Sequence, residues 1–316
     1  MNLPLEPEPG PGSPGVERPT EAAITPGETS APGETGAPGE TLASGAPRPM
    51  AVVDGVDGLD RSLGRLFIVI GVFDGLHLGH EYLLGELCRE AARRDARPAV
   101  ITFDHHPDEI LTGKAPPLLC DPAERLERLE AAGVAATVVQ TFDVALRETR
   151  FDAFVGRIAE RVELAGFLMT PESAFGYQRA GTPEAVTDLG HQLGFDVVVV
   201  PPFTLDDRPV SSSAVRAAIQ AGELDVAQRL LGRPYAAVGD ASAGSHGIQI
   251  GFPMPVSLPP AGTYRAHVDG AGAALPPGEA AVESEREVTV RGRWIEIAGA
   301  DAMHLGPRLR VTFAGR

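Results

Sequence analysis

The segment Gly71-Val-Phe-Asp-Gly-Leu-His-Leu-Gly-His80 carries two imidazoles, His77 and His80, that bracket Gly79. The apolar run from Arg65 to Phe73 precedes the turn and reads as a buried strand, while residues 80–94 read as a helix. Ligands of open parallel sheets bind beyond the carboxyl ends of strands, where this turn falls. A glycine at 79 lets a phosphate approach the backbone, and helix N-terminal amides donate to it. The two imidazoles then donate to phosphate oxygens as charge builds in a transition state. A zinc site would need further ligands at hand, and the neighbouring sequence offers none.

Two other segments suit the same chemistry. Ser211, Ser212 and Ser213 precede an amphipathic helix, so one of them is expected to be its N-cap. That N-terminus favours an anion, and Arg216, expected in its first turn, sits well there only beside one. Asp104, His105, His106 and Asp108 follow a strand end and form either a solvated loop or the wall of a substrate pocket. A serine nucleophile elbow is missing. A P-loop is excluded, because the only lysine is Lys114, between Gly113 and Ala115.

The elements that must position these groups alternate. Strands are expected at 98–103, 136–141, 166–170 and 196–201, and helices at 122–132, 151–164, 183–193, 212–221 and 224–231. Such alternation means βαβ units and a parallel sheet covered on both faces. The fold class is therefore α/β: a Rossmann-like parallel-sheet domain over 61–235, with order beginning near Arg61. After Pro234 the period changes to two, in stretches at 263–268, 286–291, 293–297 and 308–313. This predicts a small antiparallel β-barrel-like domain over 236–316.

Composition bounds the rest. The 316 residues carry 27 Lys+Arg against 43 Asp+Glu, a net charge of −16, which argues against a broad nucleic-acid surface. Residues 1–60 read as a disordered acidic tail and linker, rich in Pro and Gly, with PGET starting at Pro26, Pro32 and Pro38. Cys88 and Cys120 read as reduced packing thiols. No membrane span and no signal peptide is expected, so the cytoplasm is the expected location.

The Gly71–His80 string resembles the HxGH motif of the nucleotidylyltransferase superfamily. With its Phe73-Asp74-Gly75 lead-in it resembles the adenylyltransferase module of bacterial bifunctional riboflavin kinase/FAD synthetases. Thr102-Phe-Asp-His-His-Pro107 resembles that family's TFDPHP segment, and Phe175-Gly-Tyr-Gln-Arg-Ala-Gly181 its FGxxRxG loop. Val210-Ser-Ser-Ser-Ala-Val-Arg216 and Leu231-Gly-Arg-Pro-Tyr235 resemble its ISSTxIR helix and closing LLGRPY. The resemblance implies adenylyl transfer from ATP to FMN, giving FAD and pyrophosphate, with Mg²⁺ on the triphosphate. It implies His77, His80 and Arg216 as catalytic, with Arg216 against the ATP phosphates. Gly71, Phe73, Asp74, Gly75, Gly79, Ser211, Ser212 and Ser213 would then bind ATP, and Asp104, His106, Glu172, Phe175 and Arg179 the flavin. No metal ligand is assigned.

The chain departs from the family in two places. The family's GEDFxFG loop is here Thr170-Pro-Glu-Ser-Ala-Phe-Gly176, with Glu172 and Ser173 at altered positions. The kinase signature GFPTAN is here Gly251-Phe-Pro-Met-Pro-Val256, and Met254 and Val256 are not hard oxygen ligands for Mg²⁺. Glu296 is the candidate on the strand that carries the kinase base. The barrel is expected to be a shortened, degenerate kinase module that serves as a structural cap, a flavin-binding surface or an oligomerisation surface. The expected function is FAD synthesis without riboflavin kinase activity. Three alternatives stay open: an active bifunctional enzyme, a nucleotidylyltransferase for another substrate, and a non-catalytic flavin- or nucleotide-binding relative. Expected partners are the small molecules ATP and FMN, with riboflavin left open, and neither nucleic acid nor membrane; the oligomeric state is open.

Overall fold

A computed structural model describes residues 49–244, 247–271, 285–298 and 306–314. The PGET segment lies outside the described residues. The nucleotide-binding half runs β1 (Ala51–Asp54), β2 (Arg65–Ile70), α1 (Leu78–Arg93), β3 (Arg97–Phe103), α2 (Pro107–Thr112), α3 (Pro122–Ala131), β4 (Ala136–Gln140), α4 (Val144–Glu148), α5 (Phe151–Arg161) and β5 (Glu163–Met169). It continues with α6 (Pro183–Leu193), β6 (Asp196–Val199), the short β7 (Thr204–Leu205) and β8 (Arg208–Pro209), α7 (Ser212–Ala221) and α8 (Leu224–Leu231). The barrel follows as β9 (Ala236–Gly244), β10 (Gly247–Gly251), β11 (Gly262–Gly270), β12 (Arg286–Arg291), β13 (Trp294–Ala298) and β14 (Arg308–Phe313).

The expected α/β class holds. The six-stranded sheet has the order β1-β4-β3-β2-β5-β6, and its paired strands are parallel. From β2 the chain moves to β3 and β4 on one side and then to β5 on the other. The carboxyl end of β2 is thus a switch point, where a crevice opens. Alternate strand residues feed the two faces. Leu66, Ile68, Ile101 and Val138 pack with Phe154, Ile158 and Val186 of α5 and α6. Phe67, Val69 and Val100 pack with Leu84, Leu87 and Leu129 of α1 and α3. The closed barrel, β10-β13-β12-β11-β14-β9, is antiparallel at every pair. Its inward side chains, among them Ile248, Ile250, Val288, Ile295, Leu309 and Phe313, form a filled core. That core extends to Val215, Ile219, Leu224 and Leu231, so α7 and α8 lean on the barrel.

Three expectations need correction. Order begins before Arg61: Ala51–Asp54 pairs in register with Ala136–Val139 as an edge strand. Helix α5 stops at Arg161, because β5 takes up the chain at Glu163. The glycine-bearing stretches 236–244 and 247–251 are strands, with Gly239 so close to Gly251 that a Cβ there would lie 2.5 Å from its carbonyl oxygen. Among the described residues, no helix is long and apolar enough to cross a membrane.

Candidate active site

The turn after β2 is held open by strained backbone and tied down on every side. Phe73 and Leu76 adopt φ of +52° and +38°, left-handed values that side chains rarely tolerate, and Gly75 adopts +78°. A Cβ on Gly75 would meet Leu119 at 2.8 Å, and one on Gly71 would meet the Phe73 ring at 2.9 Å. The carbonyl of Val72 accepts from Thr102 Oγ1 (2.9 Å) and Arg125 Nη1 (3.2 Å). The carbonyls of Gly75 and Leu76 accept from the half-buried Arg233, at 2.5 and 2.9 Å. Burial pulls the Arg233 guanidinium down to about 10, so it remains a cation at neutral pH.

Asp74 is the hub of this arrangement. Its buried carboxylate accepts from Leu119 N (2.9 Å), Cys120 N (3.3 Å) and Arg216 Nη2 (2.7 Å). Arg216 also donates from Nε to Pro117 O at 2.8 Å. The arginine lies beyond the first turn of α7, and its charge is met by Asp74. A bound anion is therefore not needed to explain it, contrary to the expectation from the helix dipole. Cys120 donates toward the same carboxylate, and burial pushes its thiol up to about 12, so it stays protonated.

The two histidines divide their tasks. His77 is buried as the N-cap of α1, and its Nδ1 accepts from His80 N at 3.3 Å. The rings stack with centroids 3.8 Å apart. Burial, then the nearby Arg233 and Arg216, depress His77 to about 4, while burial and His77 lower His80 well below its usual range. Both are neutral at pH 7. The Nδ1 of His80 is buried with no partner in the protein, an unsatisfied polar group of the kind that marks functional sites. Gly79 is also closely packed: a Cβ there would meet Val210 O at 3.0 Å and the His77 ring at 3.1 Å.

Two cavities open here. The first, about 360 Å³, is lined largely by polar side chains: Asp74, His80, Ser212, Ser213 and Arg216 with Phe73 and Pro116, together with Val72, His106 and Asp108. The second, about 520 Å³, is mostly apolar and also contains Val72, His106 and Asp108. Phe103, Phe142, Phe154, Phe167 and Phe175 supply its aromatic wall, with Gly71, Glu172 and Arg179 also lining it. The Phe175 ring lies 6.2–6.5 Å from those of Phe151, Phe154 and Phe167. Gln178 and Arg179 hold positive φ of 55° and 56° in the loop beside it.

The remaining expected site residues sit elsewhere. Ser211 caps α7, accepting from Ala214 N, and Ser212 Oγ donates to Asp74 O at 3.1 Å. Gly71 lines the apolar cavity rather than the polar one, and Ser211, Gly75, Gly79 and His77 line neither. Asp104 also lies outside both linings. Its carboxylate accepts from Thr141 Oγ1 and Phe142 N and so fixes the loop that carries Phe142. Ser173 has turned from aromatic packing to a hydrogen bond with Thr170 N at 3.0 Å. In the barrel, Glu296 pairs with Arg291 at 2.6 Å, and Val256 forms a bridge with Leu118. The sequence reading missed Arg233, Arg125, Phe142 and Phe154. Arg233 was visible within the closing Leu231–Tyr235 motif, but the other three carried no local signal. Among the described residues, no three His, Cys, Asp or Glu side chains gather to hold a metal ion.

Comparison with known proteins gives a family. A family model described as FAD synthetase matches residues 60–214. The bifunctional riboflavin kinase/FMN adenylyltransferase of Haemophilus influenzae is 31% identical over 207 residues, 65% of this chain and 67% of that protein. The protein of the same name from Escherichia coli is 30% identical over 258 residues, 78% of this chain and 82% of its own length. A crystal structure titled macrolide-efflux protein, from Streptococcus pneumoniae, superposes with a TM-score of 0.69 over 84% of this chain and 90% of its own. At 20% identity it speaks for the fold alone.

Proposed function

The chain belongs to the bifunctional riboflavin kinase/FMN adenylyltransferase family, and from that premise we propose that it joins FMN to the adenylyl group of ATP. The observation that supports this most is the junction of the two cavities at Val72, His106 and Asp108. An aromatic-walled chamber of about 520 Å³ suits an isoalloxazine ring, and the polar cleft suits a triphosphate. The flavin phosphate then meets the nucleotide α-phosphorus at the shared wall. A new P–O bond forms there as the α–β anhydride breaks and pyrophosphate leaves.

The protein's part is positioning and charge stabilisation, with no covalent intermediate. His106 accepts from Asp108 N at Nδ1, so in its neutral form Nε2 carries the proton and is a donor at the junction. The unpartnered His80 nitrogen gains a bond when phosphate oxygens enter. Ser212, Ser213 and Arg216, the last fixed by Asp74, face the same cleft. Arg179 and Phe175 hold the flavin. Mg²⁺ arrives with ATP as part of the substrate. The enzyme works on freely diffusing ATP and FMN in the cytoplasm.

Riboflavin kinase activity is lost in this reading. Met254 and Val256 offer no hard oxygen, Glu296 is tied to Arg291, and the barrel interior is filled with apolar side chains. The test incubates the full chain with ATP, Mg²⁺ and either FMN or riboflavin, followed by chromatography of the flavins. FAD from FMN and no FMN from riboflavin is the expected pattern. No FAD from FMN would overturn the transferase reading, and FMN from riboflavin would overturn the loss of the kinase.

A further inference from the structure

The barrel segment that lacks the kinase ligands is engaged with the other half of the molecule. After β10 the chain runs to Pro255-Val256-Ser257, beside Pro117-Leu118-Leu119. Leu118 N donates to Pro255 O and Ser257 N donates to Leu118 O, each at 2.8 Å. The residues on either side of Leu118 face the site instead. Pro117 O accepts from Arg216 Nε, and Leu119 N donates to the Asp74 carboxylate. The Pro117–Leu119 segment therefore joins the barrel to the buried Asp74–Arg216 pair, and the preceding Pro116 lines the polar cleft.

The barrel side of this joint is buried and hydrogen-bonded. Ser257 is 1% exposed, and its carbonyl accepts the hydroxyl of Tyr235. Tyr235 is itself buried and stacks on Phe313 of β14, with centroids 6.0 Å apart and planes 7° apart. Helix α7, which presents Ser212, Ser213 and Arg216, also rests its Val215 and Ile219 on the core that fills the barrel. Both supports of Arg216, its helix and its backbone acceptor, are thus set by the barrel.

We propose that Tyr235 and the 255–257 segment are positioning residues for the nucleotide cleft, acting through Leu118 on Asp74 and Arg216. The barrel works as a brace for adenylyl transfer. This rests on the transferase reading and adds a selectivity to it. Residues 116–119 contribute Pro116 to the polar cleft and nothing to the apolar chamber, so the brace bears on ATP and not on the flavin.

The test uses the full chain carrying Tyr235→Phe, which removes one hydroxyl and keeps the ring in its packing. Binding of a non-hydrolysable ATP analogue is measured by calorimetry, FMN binding by fluorescence, and KM for each substrate by FAD formation. Nucleotide affinity and ATP KM should worsen by about fivefold, with the FMN constants unchanged. Should Tyr235→Phe fail to fold, Leu118→Pro deletes the half-buried Leu118 amide that donates to Pro255, and the same selective loss is expected. Unchanged nucleotide constants, or an equal loss for nucleotide and FMN, would overturn the brace. A chain that binds the analogue but makes no FAD would overturn the transferase reading, and the binding comparison would still decide the brace. No analogue binding by the unaltered chain would overturn both.

Discussion

The carboxylate of Asp74 and the guanidinium of Arg216 form a buried ion pair at 2.7 Å across 142 residues of chain. Asp74 comes from the strained turn after β2, and Arg216 from α7 near the end of the nucleotide-binding half. The pair joins the first and last elements of the site, and both residues line the polar cleft. A buried charge pair is weak as a source of stability when compared with apolar packing, but costly to break on one side. Its value here is geometric: Arg216 arrives at the cleft with one face already occupied, so its direction is fixed before a phosphate binds.

Asp74→Asn removes the charge and keeps the shape. It leaves Arg216 buried and uncompensated, a change worth about 3–5 kcal/mol in buried pairs. The expected outcome is a large drop in thermal midpoint, together with weaker nucleotide binding. Calorimetric unfolding checks the first and ATP titration the second. A variant as stable as the unaltered chain would mean that water reaches the pair and that the burial seen here is not maintained.

His80 and His77 should separate in mutagenesis. His80 lines the cleft, so His80→Ala should lower turnover by about 10²–10³ with little change in stability. His77 lies behind it as a helix cap, so His77→Ala should also lose about 1 kcal/mol of stability. Turnover from quantified FAD, read beside a denaturant midpoint, distinguishes them. Equal stability losses in the two variants would remove the division of labour.

Much of this was legible in the sequence where local chemistry decides structure. Helices α6, α7 and α8 match the expected bounds because their ends are written in caps: Thr182 before Pro183, Ser211, and glycines at 194, 222 and 232 in the left-handed region. Strand β1 was missed because four residues half-buried on one face only, following a Pro-rich stretch, give too short a pattern. Strands β9 and β10 were missed because their glycines, needed for close approach of the chains, imitate a loop. The site motifs were visible, but their division of labour was not. Whether Arg216 meets an anion or Asp74, and whether Asp104 faces a flavin or Phe142 N, depends on residues far away in sequence.

The flavin chamber gives its own prediction. Phe175 stands among three other rings, and aromatic pairs add about 0.5–1.5 kcal/mol beyond their buried area. Phe175→Leu should therefore raise KM for FMN by about threefold to tenfold and leave KM for ATP unchanged. Steady-state kinetics with each substrate varied in turn would show it. A shift in the ATP constant alone would move the flavin out of this chamber.

Acid should weaken the fold through the histidine pair. Burial, with help from Arg233 and Arg216, holds His77 at about 4, while an unfolded histidine titrates near 6.5. His80 is depressed in the same direction. Between those values the unfolded chain binds more protons than the folded one. Stability is then full above about pH 6.5 and declines as pH falls toward 4. Protonation of His77 at Nδ1 would also abolish the acceptor that caps α1. His77→Asn keeps a capping oxygen but cannot titrate, so its stability should fall less steeply over the same window. Thermal midpoints of both proteins, measured in steps between pH 7 and 4, give the comparison. Parallel curves would show that His77 takes up its proton in the folded protein as readily as in the unfolded one, and would sink the assignment of a buried, neutral pair.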